Sequence, residues 1–209
     1  MKTLVILSSI LGERSNSRQL ADHLVQRLRQ VEPGGSIRIR DLGADPVPYF
    51  DGATAGALFT PAEQRTAQQR AIVARSDELV AELFDADRIV FAVPVYNFSL
   101  PAQFKSYLDY VARAGVTFRY TAEGASEGLI KNKQVIVLST RGGKAVGTPD
   151  DTLTPYLAQM LAFIGLEGPV FVQAEGMALG QPAAEAGLAA ARQRIDALLS
   201  AAAEVRQAA

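Results

Sequence analysis

The chain contains no cysteine and a single histidine, His23, among 209 residues. Without cysteine there are no disulfides, no thiolate nucleophile and no cysteine-ligated metal or iron–sulfur centre, and one imidazole argues against a histidine-rich metal site. No metal is therefore expected, and any redox chemistry has to be borrowed from an organic cofactor. An excess of one charge is missing as well. Lys and Arg number 21 against 22 Asp and Glu, for a net charge of −1. Scattered charges of both signs give no basic stripe for nucleic acid and no acidic tail for a basic partner. Long apolar runs are also absent, and nothing approaches the roughly 18 residues a membrane helix needs. Met1-Lys2 followed by an apolar stretch is reminiscent of a signal peptide, but Ser8-Ser9 and Gly12-Glu13-Arg14 follow with no small-residue cleavage pattern. The expectation is a first buried strand in a cytoplasmic protein that engages neither nucleic acid nor membrane.

A hydrophobic content of 48% over 209 residues is enough for one sizeable core, and a single domain spanning 1–209 is expected. Short apolar runs suited to strands recur at 4–8, 37–40, 88–93, 134–139 and 170–173. Between them the pattern turns helical. Leu20, Leu24, Val25, Leu28 and Val31 form one stripe of a helix over 17–31, and His23 falls off that stripe onto the surface side. A second helix is expected over 61–84, with Thr60 as N-cap, Pro61 at its first position and Glu63 in its first turn. A third over 102–114 carries Phe104, Leu108 and Val111 and ends at Gly115; a fourth over 153–164 ends at Gly165. A final alanine-rich helix over 182–205 uses Leu188, Ile195 and Leu199, with a frayed end. Five strands alternating with five helices predict an α/β, flavodoxin-like, doubly wound parallel sheet of order 2-1-3-4-5, with helices on both faces. Two stretches are too long for tight turns: 42–60, rich in Pro and Gly, and 116–133, where Val116-Thr117-Phe118-Arg119-Tyr120 alternates like a short excursion strand that covers something.

Three segments stand where such a sheet presents ligands, at strand C-termini. The run Pro94-Val95-Tyr96-Asn97-Phe98 follows the most apolar strand and opens a helix. Backbone amides and aromatic faces there suit a planar, polar-edged cofactor, with flavin the first candidate. Ser9 and then Arg14-Ser15-Asn16-Ser17 lead from strand one into a helix N-terminus, where unpaired amides, hydroxyls and the helix dipole favour a phosphate. The alternative is that Ser15 or Ser17 simply caps the helix. No GxGxxG or Walker A pattern is present, which argues against a dinucleotide or P-loop site. Thr140-Arg141-Gly142-Gly143 ends strand four; paired glycines let amides approach a flavin's pyrimidine edge, or make a plain turn.

These residues, together with Lys105-Ser106-Tyr107-Leu108-Asp109, the run from Val111 through Gly115 to Tyr120, and Thr154-Pro155-Tyr156-Leu157, make nearly the whole chain similar to the FMN-dependent NADH azoreductases of the flavodoxin-like quinone reductase group. The resemblance implies an FMN phosphate held by Ser9, Ser15, Asn16 and Ser17, an N5 side lined by Val95, Tyr96, Asn97 and Phe98, and a pyrimidine end at Thr140, Arg141, Gly142 and Gly143. It also implies a homodimer with flavin sites at the subunit interface, where Tyr120 and Phe163 help wall the substrate pocket. The activity implied is ping-pong, two-electron reduction of quinones and azo compounds by NADH or NADPH. FMN carries the hydride, with no catalytic side chain, while the backbone at Asn97, Gly142 and Gly143 tunes the flavin. Many relatives carry a ring after the paired glycines; here Lys144 follows, either a contact for flavin or an anionic substrate, or a solvated lysine. Asp150-Asp151 reads as ordinary helix capping. A flavodoxin-type electron carrier is the alternative, and a cofactor-free scaffold a further one; the near-neutral charge speaks against the carrier's acidic face.

Overall fold

The computed structural model describes residues 1–207, with side chains of the last helix as far as Ala201, so the fraying expected of the chain's end falls outside the described side chains. Strands β1 (Lys2–Leu7), β2 (Ser36–Asp41), β3 (Arg88–Pro94), β6 (Gln134–Thr140) and β7 (Val170–Ala174) form a five-stranded sheet in the order β2-β1-β3-β6-β7. Every pairing in it is parallel. The expected 2-1-3-4-5 order is what the main sheet adopts. Two further strands, β4 (Phe118–Tyr120) and β5 (Ser126–Gly128), form a separate antiparallel hairpin.

Helices cover both faces, which is why the strands read as continuous apolar runs. Along β1, β3 and β6, successive side chains go to opposite sides. Leu4, Ile6, Phe91, Val93 and Val137 join a core beneath α3 (Ala67–Asp85), α4 (Ala102–Val111) and α5 (Leu153–Phe163), through Leu79, Phe104 and Leu157. Val5, Leu7, Val90, Ala92 and Leu138 join a second core beneath α1 (Asn16–Val31) and α6 (Gln181–Gln207), through Leu20, Leu24 and Ile195. Every residue of β3 is buried. His23 lies off the apolar stripe, as expected, and is half-buried: its Nε2 lies 2.9 Å from Asp196 Oδ1, joining α1 to α6.

The start of the second expected helix is corrected. The stretch 42–60 holds a helix of its own, α2 (Gly52–Phe59), whose N-cap Asp51 accepts the Thr54 amide at 2.8 Å. Thr60 closes α2, and its hydroxyl donates back to the Gly56 carbonyl. After a 3₁₀ turn at Ala62–Gln64, the long helix begins at Ala67. Thr66 and Gln69 satisfy each other's backbone amides in a capping box, two orphan donors settled at once, which Thr60 with Glu63 does not match. The third helix also stops at Val111, short of Gly115, because Thr117 Oγ1 donates to the Val111 carbonyl and the Arg113 carbonyl accepts the amides of Val116 and Thr117. Gly165 behaves as expected, with φ of +97° and its amide on the Ala162 carbonyl at the end of α5.

The excursion strand is present, and what it covers is the end of α5. Phe118 packs on Phe163 with ring centroids 4.2 Å apart, and the Ile130 amide donates to the Ile164 carbonyl.

Candidate cofactor cleft and active site

All five main strands run parallel, so the segments leaving β1, β3 and β6 emerge on one side of the sheet. Register fixes how close they come. The Val95 amide donates to the Thr140 carbonyl at 2.8 Å, and the Arg141 amide to the Ala174 carbonyl at 3.0 Å, extending the ladder to the lip of the cleft.

Ser9, Leu11, Arg14, Ser15, Asn16, Tyr96, Thr140 and Met177 line a cavity of about 140 Å³, together with Pro94, Val95, Arg141 and Gly142. A neighbouring cavity of about 500 Å³ shares Val95, Arg141 and Gly142 and adds Asn97, Phe98, Gly143, Lys144, Asp150, Thr152 and Leu153. The two cavities adjoin through this shared lining, and together they gather eleven of the twelve residues expected to hold a cofactor. Ser17 is the exception. It is buried behind the loop, with its hydroxyl 3.0 Å from that of Ser15. Ser15 does cap α1, accepting the Arg18 amide at 3.3 Å, so the capping reading and a place in the cleft hold together. Ser9 reaches across from β1 to β3, its hydroxyl 2.8 Å from that of Tyr96.

Tyr96 to Ser99 form a tight turn. The Tyr96 amide donates to the Ser99 carbonyl at 2.8 Å and the Ser99 amide to the Tyr96 carbonyl at 3.0 Å. Asn97 and Phe98 both take positive φ, 47° and 66°, as a type I′ turn requires. The turn's own hydrogen bonds use Tyr96 and Ser99, so the amides of Asn97 and Phe98 belong to its outer edge. Asparagine tolerates this backbone; phenylalanine is strained in it.

The segment after β6 is locked from behind by the β7–α6 connection. Carbonyls of Arg141, Gly142 and Gly143 accept the amides of Met177, Ala178 and Gly176, and Glu175 Oε1 accepts the amides of Ala145 and Val146 at 2.6 and 2.9 Å. A Cβ on Gly142 would stand 3.1 Å from the Ala178 methyl, so glycine is what lets the two segments close. Arg141 turns its guanidinium inward, donating from Nη2 to Asp151 Oδ1 at 2.7 Å, with both side chains 7% exposed. Burial pushes the Asp151 carboxyl up, but bonds from Thr154 and Arg141 outweigh it and hold the pKa below the ordinary carboxylate value. Asp151 is thus more than an ordinary cap. Arg141 Nε, fully buried, has no hydrogen-bond partner within the described residues.

Asp151, Thr152 and Glu175 support the site although no sequence motif marks them. Asp151 was legible only as a cap, because its partner stands ten positions earlier. Glu175 could have been found from its place just past the end of β7. Lys144 is exposed on the wider cavity. Tyr120 and Phe163 are not brought to the cleft within one chain. Tyr120 is 67% exposed and meets Phe118 edge-on, while Phe163 lines a separate cavity of about 550 Å³ with Ser126, Tyr156, Gln159 and Met160. Among the described residues there is no cluster of metal-ligating side chains and no helix long and apolar enough to cross a membrane.

The donor set fits FMN. Hydroxyls and a helix N-terminus suit a phosphate, and a turn edge and a glycine segment offer amides to a flat heterocycle. Known proteins point the same way. A protein of Bordetella petrii named FMN-dependent NADH:quinone oxidoreductase is 80% identical over 200 residues, 96% of either chain. One of the same name from Burkholderia pseudomallei is 53% identical over 195 residues, 93% of this chain and 98% of the other. In structure, the chain superposes on azoreductase AzrA with a TM-score of 0.86 at 27% identity, covering 96% of this chain and 99% of that one. It superposes on an FMN-dependent NADH-azoreductase from Bacillus anthracis, solved in complex with FMN, with a TM-score of 0.87 at 25% identity over 97% and 99%. The flavodoxin-like fold family matches residues 1–199. The chain belongs to the flavodoxin-like fold family, in its group of FMN-dependent NADH:quinone oxidoreductases and azoreductases.

Proposed function

We propose that the protein is an FMN-dependent NADH:quinone oxidoreductase that also reduces azo compounds. The observation that carries this is the convergence of three strand-end segments on one cleft whose donors match FMN from phosphate to ring. Ser9, Ser15 and Asn16 would hold the phosphate against the N-terminus of α1, with Arg14 adding charge. Asn97 and Phe98 would present amides to one edge of the ring, and Gly142 and Gly143 to its pyrimidine end, where donors favour the more negative, reduced form. When bound, FMN supplies the hydride chemistry. The chain contributes orientation and exclusion of water, and needs no acid–base pair of its own. NADH and the acceptor use the same cleft in turn, which gives ping-pong order, and selection by stacking admits both quinones and azo compounds.

The wider cavity is open at its outer side, and a second copy of the chain would close it. Exposed Phe98 and Tyr120, with the apolar cavity at Met160 and Phe163, are the surface such a homodimer would bury. A single domain working in the cytoplasm, where nicotinamide nucleotides are held, completes the reading.

Anaerobic mixing of the FMN-loaded protein with NADH and, separately, with NADPH, then with a benzoquinone or an azo dye, tests it. Rapid bleaching followed by recovery of the oxidised spectrum is expected. Bound FMN that neither NADH nor NADPH bleaches would overturn the enzyme in favour of an electron carrier.

A further inference from the structure

The N-terminus of α5 spends two consecutive side chains in an unusual way. Thr152 occupies the N-cap position but makes no side-chain cap bond; its φ and ψ of −78° and −26° are already helical. The capping is done one residue earlier, by Asp151 Oδ1, which accepts the Thr154 amide at 3.3 Å as well as the Arg141 guanidinium. The Thr152 hydroxyl is thereby released, and it donates to the carbonyl of Phe98, 54 positions away.

Phe98 is the residue in this turn that most needs holding. Its φ is +66°, and the residue is 80% exposed within the single chain, so packing inside the chain does not maintain the conformation. The bond from Thr152 grips the peptide that follows. Asp151 meanwhile grips Arg141 on the opposite wall, and Val95 and Thr140 join the two walls at their base.

We propose that Thr152 is a positioning residue of the reductase. Through the Phe98 carbonyl it holds the Asn97–Phe98 turn at positive φ and, with Asp151, fixes the two amide-bearing walls of the cleft relative to each other. The proposal rests on reading this cleft as the FMN site. Its consequence is specific: without the hydroxyl, the turn relaxes, the amides of Asn97 and Phe98 re-aim, and the cofactor's electronic environment changes while its phosphate anchor is untouched.

The test uses the FMN-loaded full chain in three variants. Thr152→Val keeps the shape and removes the donor, Thr152→Ser restores it, and Asn16→Asp adds negative charge at the N-terminus of α1. Readouts are FMN affinity, the visible circular dichroism of the flavin, its midpoint potential and the rate of reduction by NADH. Thr152→Val is expected to shift the flavin spectrum and potential and slow reduction about tenfold, as small misalignments do, with FMN affinity within a few-fold of the parent and Thr152→Ser close to it. A Thr152→Val protein with parental spectrum, potential and rate overturns the proposal. Asn16→Asp separates the two readings: it favours the helix but repels a phosphate, so weakened FMN binding supports the cleft whatever Thr152→Val does, and undiminished binding removes the cleft itself as the site.

Discussion

The Arg141 guanidinium and the Asp151 carboxylate meet at 2.7 Å, each side chain 7% exposed, beside the cleft that FMN is proposed to fill. Removing one charge leaves the other buried and unpaired, which costs about 3 kcal/mol or more. Asp151→Asn keeps an oxygen for the Thr154 amide and isolates this term. It should lower the free energy of unfolding by about that amount in urea titrations at neutral pH. The same pair sets an acid limit. The folded-state pKa of Asp151 lies below its ordinary value of 3.8, so the contribution is fully present above that value and is lost as pH falls through the lower folded one. Thermal unfolding of the parent should therefore weaken below about pH 4, and the Asp151→Asn variant should show a shallower decline there. Asp45 and Glu78 shift the same way through bonds to Arg75 and Arg40, but both are exposed and add little.

The hydroxyls of Ser9 and Tyr96, 2.8 Å apart, orient Ser9 for the proposed phosphate. Tyr96→Phe removes that partner without changing the ring. One hydrogen bond of about 1 kcal/mol corresponds to roughly a fivefold loss of affinity. Fluorescence titration of the apo protein with FMN should show a dissociation constant raised by up to about that factor, and because the bond is already made without cofactor the apo protein's melting temperature should fall by no more than a few degrees. Unaltered affinity would mean that Tyr96 does not orient Ser9 for the phosphate.

Gly128 closes the hairpin of β4 and β5 onto the end of α5. A Cβ there would stand 2.0 Å from the Gly165 nitrogen and 2.5 Å from the Ile164 carbonyl carbon, both backbone atoms with no room to yield. Gly128→Ala should cost about 3 kcal/mol or more, above the usual range for overpacking. Chemical denaturation reads this directly; a near-parental midpoint would mean that the hairpin does not pack there.

Thr66 and Gln69 form the capping box of α3. Thr66→Ala should destabilise the protein by about 1 kcal/mol. Thr60→Ala, by contrast, removes the hydroxyl's bond to the Gly56 carbonyl and the one it accepts from Gln69 Nε2, leaves both backbone amides of the capping box paired, and should cost less. The reverse order in urea midpoints would return the helix start to Pro61.

Much of this molecule was legible in the order of its residues. Apolar runs at Leu4, Val90 and Val137 alternate between two cores, and a period of two with both faces covered marks a parallel sheet regardless of distant contacts. Parallel strands send their C-terminal connections to one edge, so strand order alone puts Ser9, Asn97 and Gly142 on a common cleft. Helix starts were less legible: Thr60-Pro61 and Thr66-Gln69 both carry N-terminal signals, and the reciprocal bonds of the second pair decide between them. Tertiary structure alone decided which side chains serve which loops. Ser17 turned inward to Ser15, Tyr120 and Phe163 gathered around Phe118, and Thr152 found Phe98 across 54 positions. The physical reason is range. Periodicity, capping and strand ends are set by residues a few positions apart, whereas a hydroxyl's partner is fixed by where the packing of two cores brings remote backbone to within 3 Å or so.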